Sequence, residues 1–460
     1  MGKKTPVKFA LFGAGTRGEL DLGYFFKKNH KKIRYWAVAE ADPYRRAKFI
    51  EKFKISKENA FRDWKDLLEK PKLADAIINA LPCRLHHEST IAALKAGYDV
   101  LLEKPMAHTP GECVHLTQAA KKYGRKLAIA FENRYNSIYL KVKELLELGT
   151  IGQLMDVSCV ENIGWWHYVV SYVRGIHSRM EEGNSFMIAK GIHDTDLITW
   201  FIESSRASKV SSFGDLLFFN KKNAPSGAPE RCIDGCPIQN ECLFDAVKLY
   251  YKPGRPKIPI SLLRNQTLGS IIDVIKEPRF RTFASIIARD ISKPNILKIL
   301  RETPHGKCVF RSDNGVTDHQ STSIEYENGV TCSFSLSAFS EIWERTCDLR
   351  GTQGEIMSKD WSGRLELRTF NPPKVIKERF RFNGLHHGGG DELLLLDFAN
   401  AVKNDDPDVK SLTTVENCLE SHLLALAAEE ARINKKIVDM AVFRRRAEEE
   451  AKILANKKLS

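Results

Sequence analysis

Residues 13–18, which read GAGTRG, constrain the fold of this chain more than any other stretch. They follow an apolar run at residues 7–12 and precede residues 19–28, which can form a helix. In that setting the first glycine allows a tight turn, the second lets the backbone approach a pyrophosphate, and the third packs helix on strand. The helix N-terminus also attracts phosphate. The stretch therefore predicts a dinucleotide site at the start of an α/β domain.

Further apolar runs predict the other strands of this domain, at residues 35–39, 76–80, 99–102 and 126–131. Glu40 directly follows the second strand, 22 residues after Gly18. A carboxylate there can accept hydrogen bonds from a ribose diol, which favours NAD. Asp42 is a rival for this role. Arg45 and Arg46 can neutralise a 2′-phosphate, so NADP remains an alternative.

Residues 101–105, LLEKP, place an acid and a base at the end of a predicted strand. Ligands gather at the carboxyl ends of parallel strands, so Lys104 is predicted at the rim of the cofactor cleft, where it can move a proton. His86 follows the preceding strand and is expected beside the cofactor. The alternatives are an exposed Glu–Lys pair before a turn and a helix-capping or surface histidine.

The order GAGTRG, then Pro82 with His86, then EKP resembles the Gfo/Idh/MocA (glucose–fructose oxidoreductase and inositol dehydrogenase) family. The resemblance continues through residues 132–135, similar to the family's domain-crossing segment, and residues 150–154. It implies an α/β fold with an N-terminal Rossmann domain and a C-terminal α+β domain built on a large, mostly antiparallel sheet. Alternating runs around Asn328 and Gly329 predict a hairpin that agrees with this sheet.

The predicted domains are residues 1–131 for NAD(P) binding, 132–435 for substrate binding with a cysteine-bearing insertion at about 215–310, and a charged C-terminal helix at 436–460 on a solvated face. Cofactor contacts are expected from the strand ends of the first domain and from the crossing segment. These residues are Gly13, Gly15, Thr16, Arg17, Gly18, Glu40, Pro82, His86, Glu103, Lys104 and Asn133.

A predicted helix at residues 187–196 places His193 and Asp196 three residues apart on one face. A capped helix with a satisfied histidine is the alternative. The family resemblance implies a substrate-binding His-x-x-Asp preceded by an aspartate four residues before the histidine, but Ala189 stands there. Lys190 adds an ammonium, as in a subgroup of the family that the sequence resembles. The predicted catalytic residues are therefore Lys104, His193 and Lys190.

The substrate is predicted to meet aromatic, hydroxyl and cationic side chains suited to a sugar ring. The predicted contacts are Trp165, His167, Tyr172, Arg174, Lys190, His193, Asp196 and His387. A core strand and loop would explain part of the first group. His387 lies in a glycine-rich loop before Asp391, which is expected to cap a helix; a plain flexible connector is the alternative.

Three cysteines at spacings of three and five residues, Cys232, Cys236 and Cys242, suggest one ligand cluster. The resembling subgroup implies Cys308 as the fourth ligand of a structural zinc. The spacing fits no standard zinc motif, so an iron–sulfur centre and free buried thiols remain alternatives.

The net charge of +13, from 71 Lys and Arg against 58 Asp and Glu, is spread along the chain without a basic stripe carrying interleaved aromatics. We therefore expect no nucleic-acid partner. No stretch can span a bilayer, and a cytoplasmic protein is predicted. The resemblance implies homodimers or homotetramers.

The motifs predict an NAD(P)-dependent oxidoreductase acting on a CH–OH group of a small-molecule carbohydrate: a sugar, glycoside or polyol. The resemblance also implies an alternative, a glycosidase using transient oxidation and elimination. A non-catalytic nucleotide-binding sensor is a third possibility.

Overall fold

The structure is a computed structural model that describes residues 5–252, 282–288, 290–381, 389–404 and 411–457. It contains a six-stranded and a nine-stranded sheet. The elements of the first domain are β1 (Val7–Phe12), α1 (Leu22–Lys28), β2 (Ile33–Ala39), α2 (Pro43–Phe53), β3 (Ala60–Phe61), α3 (Trp64–Leu68), β4 (Ala76–Asn79), α4 (His86–Lys95), β5 (Asp99–Leu102), α5 (Pro110–Tyr123) and β6 (Leu127–Ile129).

The first sheet has the strand order β3-β2-β1-β4-β5-β6, and all of its strands run parallel. The strands are almost continuously buried, as expected for a parallel sheet covered by helices on both faces. Their carboxyl ends meet at one edge, so the segments after β1, β2, β4 and β5 lie near one another. This edge carries the predicted cofactor residues.

The second sheet has the order β14-β13-β12-β11-β7-β10-β9-β8-β15, in which only β7 and β10 pair in parallel. Gly329, at φ +85°, turns the predicted hairpin between β9 and β10. The strands are β7 (Leu154–Gly164), β8 (Ala207–Asp215), β9 (His319–Tyr326), β10 (Thr331–Ser340), β11 (Glu344–Gly351), β12 (Gly354–Lys359), β13 (Arg364–Phe370), β14 (Pro373–Arg379) and β15 (Val438–Asp439). The predicted fold class is confirmed.

The remaining α-helices flank the second sheet or return to the first domain. They are α6 (Ser137–Glu147), α7 (Trp165–Tyr168), α8 (Met180–Gly183), α9 (Ile192–Phe201), α10 (Ala284–Ile287), α11 (Lys293–Glu302), α12 (Gly390–Lys403), α13 (Val415–Asn434) and α14 (Met440–Asn456). A short 3-10 helix, Glu132–Tyr135, carries the chain from one sheet to the other. Wider helical turns at Met187–Gly191 lead directly into α9.

The packing of the late helices differs from the predicted division at residues 131 and 435. Phe398 of α12 lies in the core of the first domain, with its ring 6.2 Å from that of Phe9. Thr413 accepts a backbone hydrogen bond from Ile129 of β6. The chain thus returns to complete the domain in which it began.

The C-terminal helix α14 is only partly solvated, contrary to the predicted charged surface helix. Phe443 is buried, and so is Arg444, whose guanidinium donates to the Ala207 carbonyl and pairs with Glu420. A helix with one buried face therefore follows β15, which adds to the edge of the second sheet. In the described ranges, no helix is long and apolar enough to cross a membrane.

Candidate active site

The glycine loop after β1 has the geometry of a phosphate-binding turn. Gly13 has φ +86°, and a Cβ there would lie 2.7 Å from the Ala80 carbonyl oxygen. A Cβ on Gly18 would lie 2.5 Å from the Gly13 oxygen, so this glycine allows the close packing of the helical turn. At Gly15, by contrast, nothing lies within 4 Å of a Cβ position. The loop is thus tightly packed at Gly13 and Gly18 and open at Gly15, where a pyrophosphate can approach the backbone.

Glu40 lies beside this loop at the end of β2. Its Oε2 accepts a 2.7 Å hydrogen bond from the Ala14 backbone N–H. Asp42 is used to cap α2 by accepting from Arg45 N, and the Arg46 guanidinium donates to the carbonyl oxygens of Glu40 and Ala41. Of the rival groups, Glu40 is thus the one whose carboxylate faces the glycine loop. A carboxylate acceptor at this position fits a ribose diol better than a 2′-phosphate.

Arg17 and Glu103, both predicted to contact cofactor, bind each other. Arg17 Nε donates to Glu103 Oε1 at 2.7 Å, and Arg17 Nη2 donates to Asp391 Oδ1 at 2.5 Å. The expected capping position of Asp391 is wrong, because the N-cap of α12 is Gly389 and Asp391 lies in the first turn of the helix. These pairs tie the glycine loop to the segment that carries Lys104 and to α12.

His86 braces the loops that end two neighbouring strands. Its Nδ1 lies 2.8 Å from the Pro105 carbonyl oxygen and its Nε2 lies 2.8 Å from that of Leu81, which precedes Pro82. Burial lowers the pKa of His86 to about 4, against the two carbonyl contacts that raise it. Both ring nitrogens therefore face protein backbone.

Two other predicted cofactor residues, Thr16 and Asn133, lie near the edge of the first sheet. Thr16 begins the helical turn Thr16–Asp21 in the glycine loop. Asn133 is buried in the crossing helix Glu132–Tyr135.

Lys104 is half-buried at the end of β5, and its Nζ donates to the Ala189 carbonyl oxygen at 2.9 Å. Burial lowers the pKa of Lys104 from 10.5 to about 8; the negative charge of Glu132 opposes this shift and the positive charge of Lys190 adds to it. A lysine in this state holds and releases a proton near neutral pH. The contact also joins the first domain to the turn before α9.

Lys190 and His193 approach the same place from the second domain. Lys190 Nζ lies 3.3 Å from Glu161 Oε1 and 4.1 Å from the centre of the Trp343 ring, and burial lowers the pKa of Lys190. His193 Nε2 lies 3.7 Å from Glu132 Oε1. The structure therefore brings the three predicted catalytic residues into one region.

Asp196 lies on the same helix face as His193 but is engaged elsewhere. Arg134 makes two hydrogen bonds to its carboxylate, of 2.8 and 2.7 Å, and Ser421 donates a third of 2.9 Å. The carboxylate is completely buried. The expected substrate contact is therefore replaced by a buried ion pair between the crossing segment and α9.

The predicted aromatic group is divided. His167 stacks on Trp343 with ring centres 4.7 Å apart, Tyr172 lies edge-on to His167 at 6.1 Å, and Lys190 lies over the same Trp343 ring. Trp165 is buried, and its Nε1 donates to Glu341 at 3.1 Å. The last predicted substrate residue, His387, lies outside the described residues.

Arg174 belongs to a different site. Its guanidinium donates to the carbonyl oxygens of Lys307 and Phe244, and it lines a small cavity with the four predicted metal ligands. These ligands are Cys232, Cys236, Cys242 and Cys308. Within the part of the chain that the structure describes, however, no three or more Cys, His, Asp or Glu side chains are grouped so as to hold a metal ion. The predicted structural zinc is not supported, because the thiols share a cavity without converging on a point.

Four residues of this region were given no site role in the sequence analysis: Glu132, Glu161, Trp343 and Arg345. Arg345 pairs with Glu161 at 3.0 Å and with Asp194 at 2.5 Å, and all three side chains are buried. Charged residues at inward-facing positions of β7 and β11 are a signal that could have been read from strand alternation. Glu132 carries no such periodic signal.

A family match to known proteins agrees with the Rossmann fold of the first domain. The profile of the GFO_IDH_MocA family, described as an oxidoreductase family with an NAD-binding Rossmann fold, matches residues 7–131. YteT of Bacillus subtilis (strain 168), named as an oxidoreductase, is 24% identical over 78% of this chain and 80% of its own length. An inositol 2-dehydrogenase/D-chiro-inositol 3-dehydrogenase of Shouchella clausii (strain KSM-K16) is 30% identical over 28% of this chain, and the match spans only 34% of its own length.

Two solved structures share the whole architecture. An inositol dehydrogenase homologue of Azotobacter vinelandii, complexed with NADH and myo-inositol, has a TM-score of 0.64 at 15% identity, covering 95% of this chain and 98% of its own. An oxidoreductase of Agrobacterium radiobacter, in complex with NAD+, L-tartaric acid and magnesium, has a TM-score of 0.64 at 16% identity, covering 95% and 99%. At these identities the likeness is one of fold.

The glycine loop, the parallel sheet and the matched profile together define an oxidoreductase with an NAD-binding Rossmann domain. Residues 7–131, which form this domain, match the profile of the Gfo/Idh/MocA family, and the YteT oxidoreductase is similar over 78% of the chain. The resemblance read from its motifs is confirmed.

Proposed function

We propose that the protein is an NAD-dependent dehydrogenase that oxidises a CH–OH group of a polyol or sugar, with Lys104 as the base. The observation that carries the proposal is the environment of Lys104. This lysine ends a strand beside the glycine loop, donates to the Ala189 carbonyl at 2.9 Å, and has its pKa lowered by burial to about 8. Such a group is suited to accepting a hydroxyl proton at physiological pH.

The glycine loop would hold the cofactor's pyrophosphate over Gly15, and Glu40 would accept hydrogen bonds from a ribose diol. When bound, the nicotinamide supplies hydride acceptance from the carbon that bears the hydroxyl. The chain's own part is to bind, orient and deprotonate. Lys104 removes the hydroxyl proton, and His193 orients that hydroxyl from the opposite domain.

The substrate class rests on the cationic and aromatic side chains around Lys190. Trp343 and His167 offer stacked ring faces, and Tyr172 adds a phenol edge-on to His167. Ring faces with adjacent hydrogen-bonding groups suit the alternating apolar and hydroxyl surfaces of a cyclic polyol or sugar. The inositol dehydrogenases among the relatives act on molecules of this class by name.

The test is a screen of cyclic polyols and sugars, myo-inositol included, with NAD+ and with NADP+, following the absorbance of reduced nicotinamide. We expect at least one substrate to be oxidised with NAD+, and the Lys104→Ala variant to lose oxidation while it still binds NAD+. Oxidation that persists in Lys104→Ala would contradict the assignment of the base. Hydrolysis of a glycoside with only catalytic cofactor and no net reduction would instead identify the redox-neutral glycosidase reaction.

A further inference from the structure

We propose that Glu132 is the positioning carboxylate of this site, orienting His193 and balancing the positive charge of Lys104. The proposal rests on the proposed function of Lys104 as a base. It assigns a role to a residue of the domain-crossing segment that had no predicted site role, in a site where the acid expected on the substrate helix is replaced by Ala189.

Glu132 lies where the two domains meet. It follows β6 as the first residue of the crossing helix Glu132–Tyr135, and it is 1% exposed. Its Oε1 lies 3.7 Å from His193 Nε2, and its Oε2 lies 3.9 Å from Arg17 Nη2. A carboxylate this deeply buried must interact with cations or hydrogen-bond donors to remain ionised. The imidazole of His193 and the guanidinium of Arg17 lie on either side of it.

The other acids near Lys104 are already paired. Glu103 accepts from Arg17 at 2.7 Å, and Glu161 pairs with Lys190 and Arg345. The direct acceptor of the Lys104 ammonium is a neutral group, the Ala189 carbonyl. Among the charges that act on Lys104, that of Glu132 has the largest effect, and it raises the pKa of Lys104 against burial. Glu132 thus performs electrostatically what an acid at position 189 would have done.

The backbone around Glu132 is held from two sides. A Cβ on Gly390 would lie 2.1 Å from the Glu132 carbonyl oxygen, so α12 can begin this close only with a glycine. Two residues further on, Arg134 is fixed by its ion pair with Asp196. A charged group on a fixed backbone keeps its orientation during proton transfer, which is the requirement for electrostatic preorganisation.

The charged neighbours of Glu132 and Lys104 come from every element packed around them. They are Arg17 of the glycine loop, Cys83 after β4, Glu103 after β5, His177 before α8, Lys190, His193 and Asp196 of the substrate helix and its preceding turn, Asp391 of α12, and His422 of α13. If the negative charge of Glu132 is removed, less negative charge remains to offset the repulsion of the Lys104 ammonium by Arg17 and Lys190. The ammonium form of Lys104 is then less stable, so its pKa falls.

The experiment measures the protonation of Lys104 without any substrate. Reductive methylation of the full-length protein is followed by mass spectrometry of the Lys104 peptide as a function of pH, because only the neutral amine reacts. We expect a midpoint of about 8 in the wild-type protein and a lower midpoint in Glu132→Gln. The control is Asp397→Asn, which removes a carboxylate that accepts from Tyr135 of the same short helix at 2.6 Å. Its midpoint should equal that of the wild type.

An unchanged midpoint in a folded Glu132→Gln protein would overturn the proposal. If that variant does not fold, Glu132→Asp is used instead, which keeps the charge and moves it back by one methylene. The midpoint of Lys104 methylation in this variant should fall below that of the wild type. An unchanged midpoint would equally overturn the proposal. Activity gives the second readout. Once a substrate is known, Glu132→Gln should lower kcat and move the rising limb of the kcat/KM pH profile to lower pH, with unchanged affinity for NAD+.

The two proposals fail separately. Activity that survives in Lys104→Ala refutes the base, whereas the methylation midpoints still decide the coupling of Glu132 to Lys104. A rising limb that stays in place in Glu132→Gln refutes the positioning role even if Lys104 is the base.

Discussion

Arg134 and Asp196 form a doubly hydrogen-bonded ion pair between the domain-crossing segment and the helix that carries His193. The two bonds are 2.8 and 2.7 Å long, and the side chains are 2% and 0% exposed. A buried charge that loses its oppositely charged partner strongly destabilises the fold. The pair therefore fixes the distance between the two halves of the site.

We expect Arg134→Met to lower the free energy of unfolding by about 3–5 kcal/mol, because Asp196 would remain buried without its partner. Urea denaturation followed by circular dichroism measures this. The matched control is Arg350→Met, which breaks an ion pair with Asp156 whose two side chains are 44% and 41% exposed. That change should cost no more than about 1 kcal/mol. Equal losses in the two variants would contradict a special role for the buried pair.

Two glycines of the same loop should respond oppositely to one methyl group. Gly13→Ala places a Cβ 2.7 Å from the Ala80 oxygen at φ +86°, and we expect a loss of stability of about 1–3 kcal/mol or more. Gly15 has φ −73° and open space around it, so Gly15→Ala should leave the unfolding temperature unchanged. It should weaken NAD+ binding, since the methyl group occupies the approach to the backbone. Thermal melts and calorimetric titration with NAD+ test both; undiminished NAD+ affinity in Gly15→Ala would count against the pyrophosphate site.

The carboxylate of Glu40 is expected to select the cofactor. Glu40→Gln keeps the shape of the side chain but removes a charged acceptor, whose hydrogen bond contributes about 1.5–3 kcal/mol. We therefore expect the affinity for NAD+ to fall by roughly tenfold or more. The ratio of the affinity for NAD+ to that for NADP+ should decrease as well. Asp42→Asn serves as the control, because an asparagine caps α2 as well as an aspartate does. An equal effect of the two changes would mean that Glu40 does not contact the ribose.

Oxidation should depend on pH through Lys104. A base acts when neutral, so kcat/KM should rise with pH and level off above the folded pKa of about 8. Steady-state rates at constant ionic strength give this profile for the free enzyme. A profile that declines through pH 8 would be inconsistent with a neutral lysine as the proton acceptor.

Burial of the Lys104 ammonium should lower the free energy of unfolding. Burial lowers its pKa from 10.5 to about 8, a shift that corresponds to about 3 kcal/mol at most. Because the folded pKa is the lower one, the cost is fully present below pH 8 and disappears as pH rises past 10.5. Lys104→Met should therefore raise the unfolding temperature at pH 7, and the gain should shrink at pH 10. A gain that does not depend on pH would point to packing instead of charge.

Local patterns were sufficient to predict much of this architecture. Gly13, Glu40 and Lys104 each follow a strand. Because the strands are parallel, their carboxyl ends meet at one edge of the sheet, so the positions of the strands in the sequence were enough to predict that these residues lie together. The hairpin at Gly329 was equally local. The turn residue and the alternation on either side of it specify the pairing.

Contacts between distant segments could not be read in this way. The pairing of Arg134 with Asp196 spans 62 residues, and that of Arg17 with Asp391 spans 374. Neither has a periodic signal, since each joins segments that are far apart in the sequence. For the same reason Asp196 was expected to face substrate, and no site role was predicted for Glu132. The cysteines were expected to share a metal because they are close in sequence. That closeness does not determine the direction in which each thiol points, so the expectation failed.

The return of α12 to the first domain has a consequence for synthesis. Phe398 packs against Phe9, and β6 bonds to Thr413, so the first sheet lacks part of its core until these two residues have been synthesised. Domains generally fold as units while the ribosome extends them from the N-terminus. Here the nascent first domain must keep an apolar surface exposed while the strands β7 to β14 of the second sheet are translated.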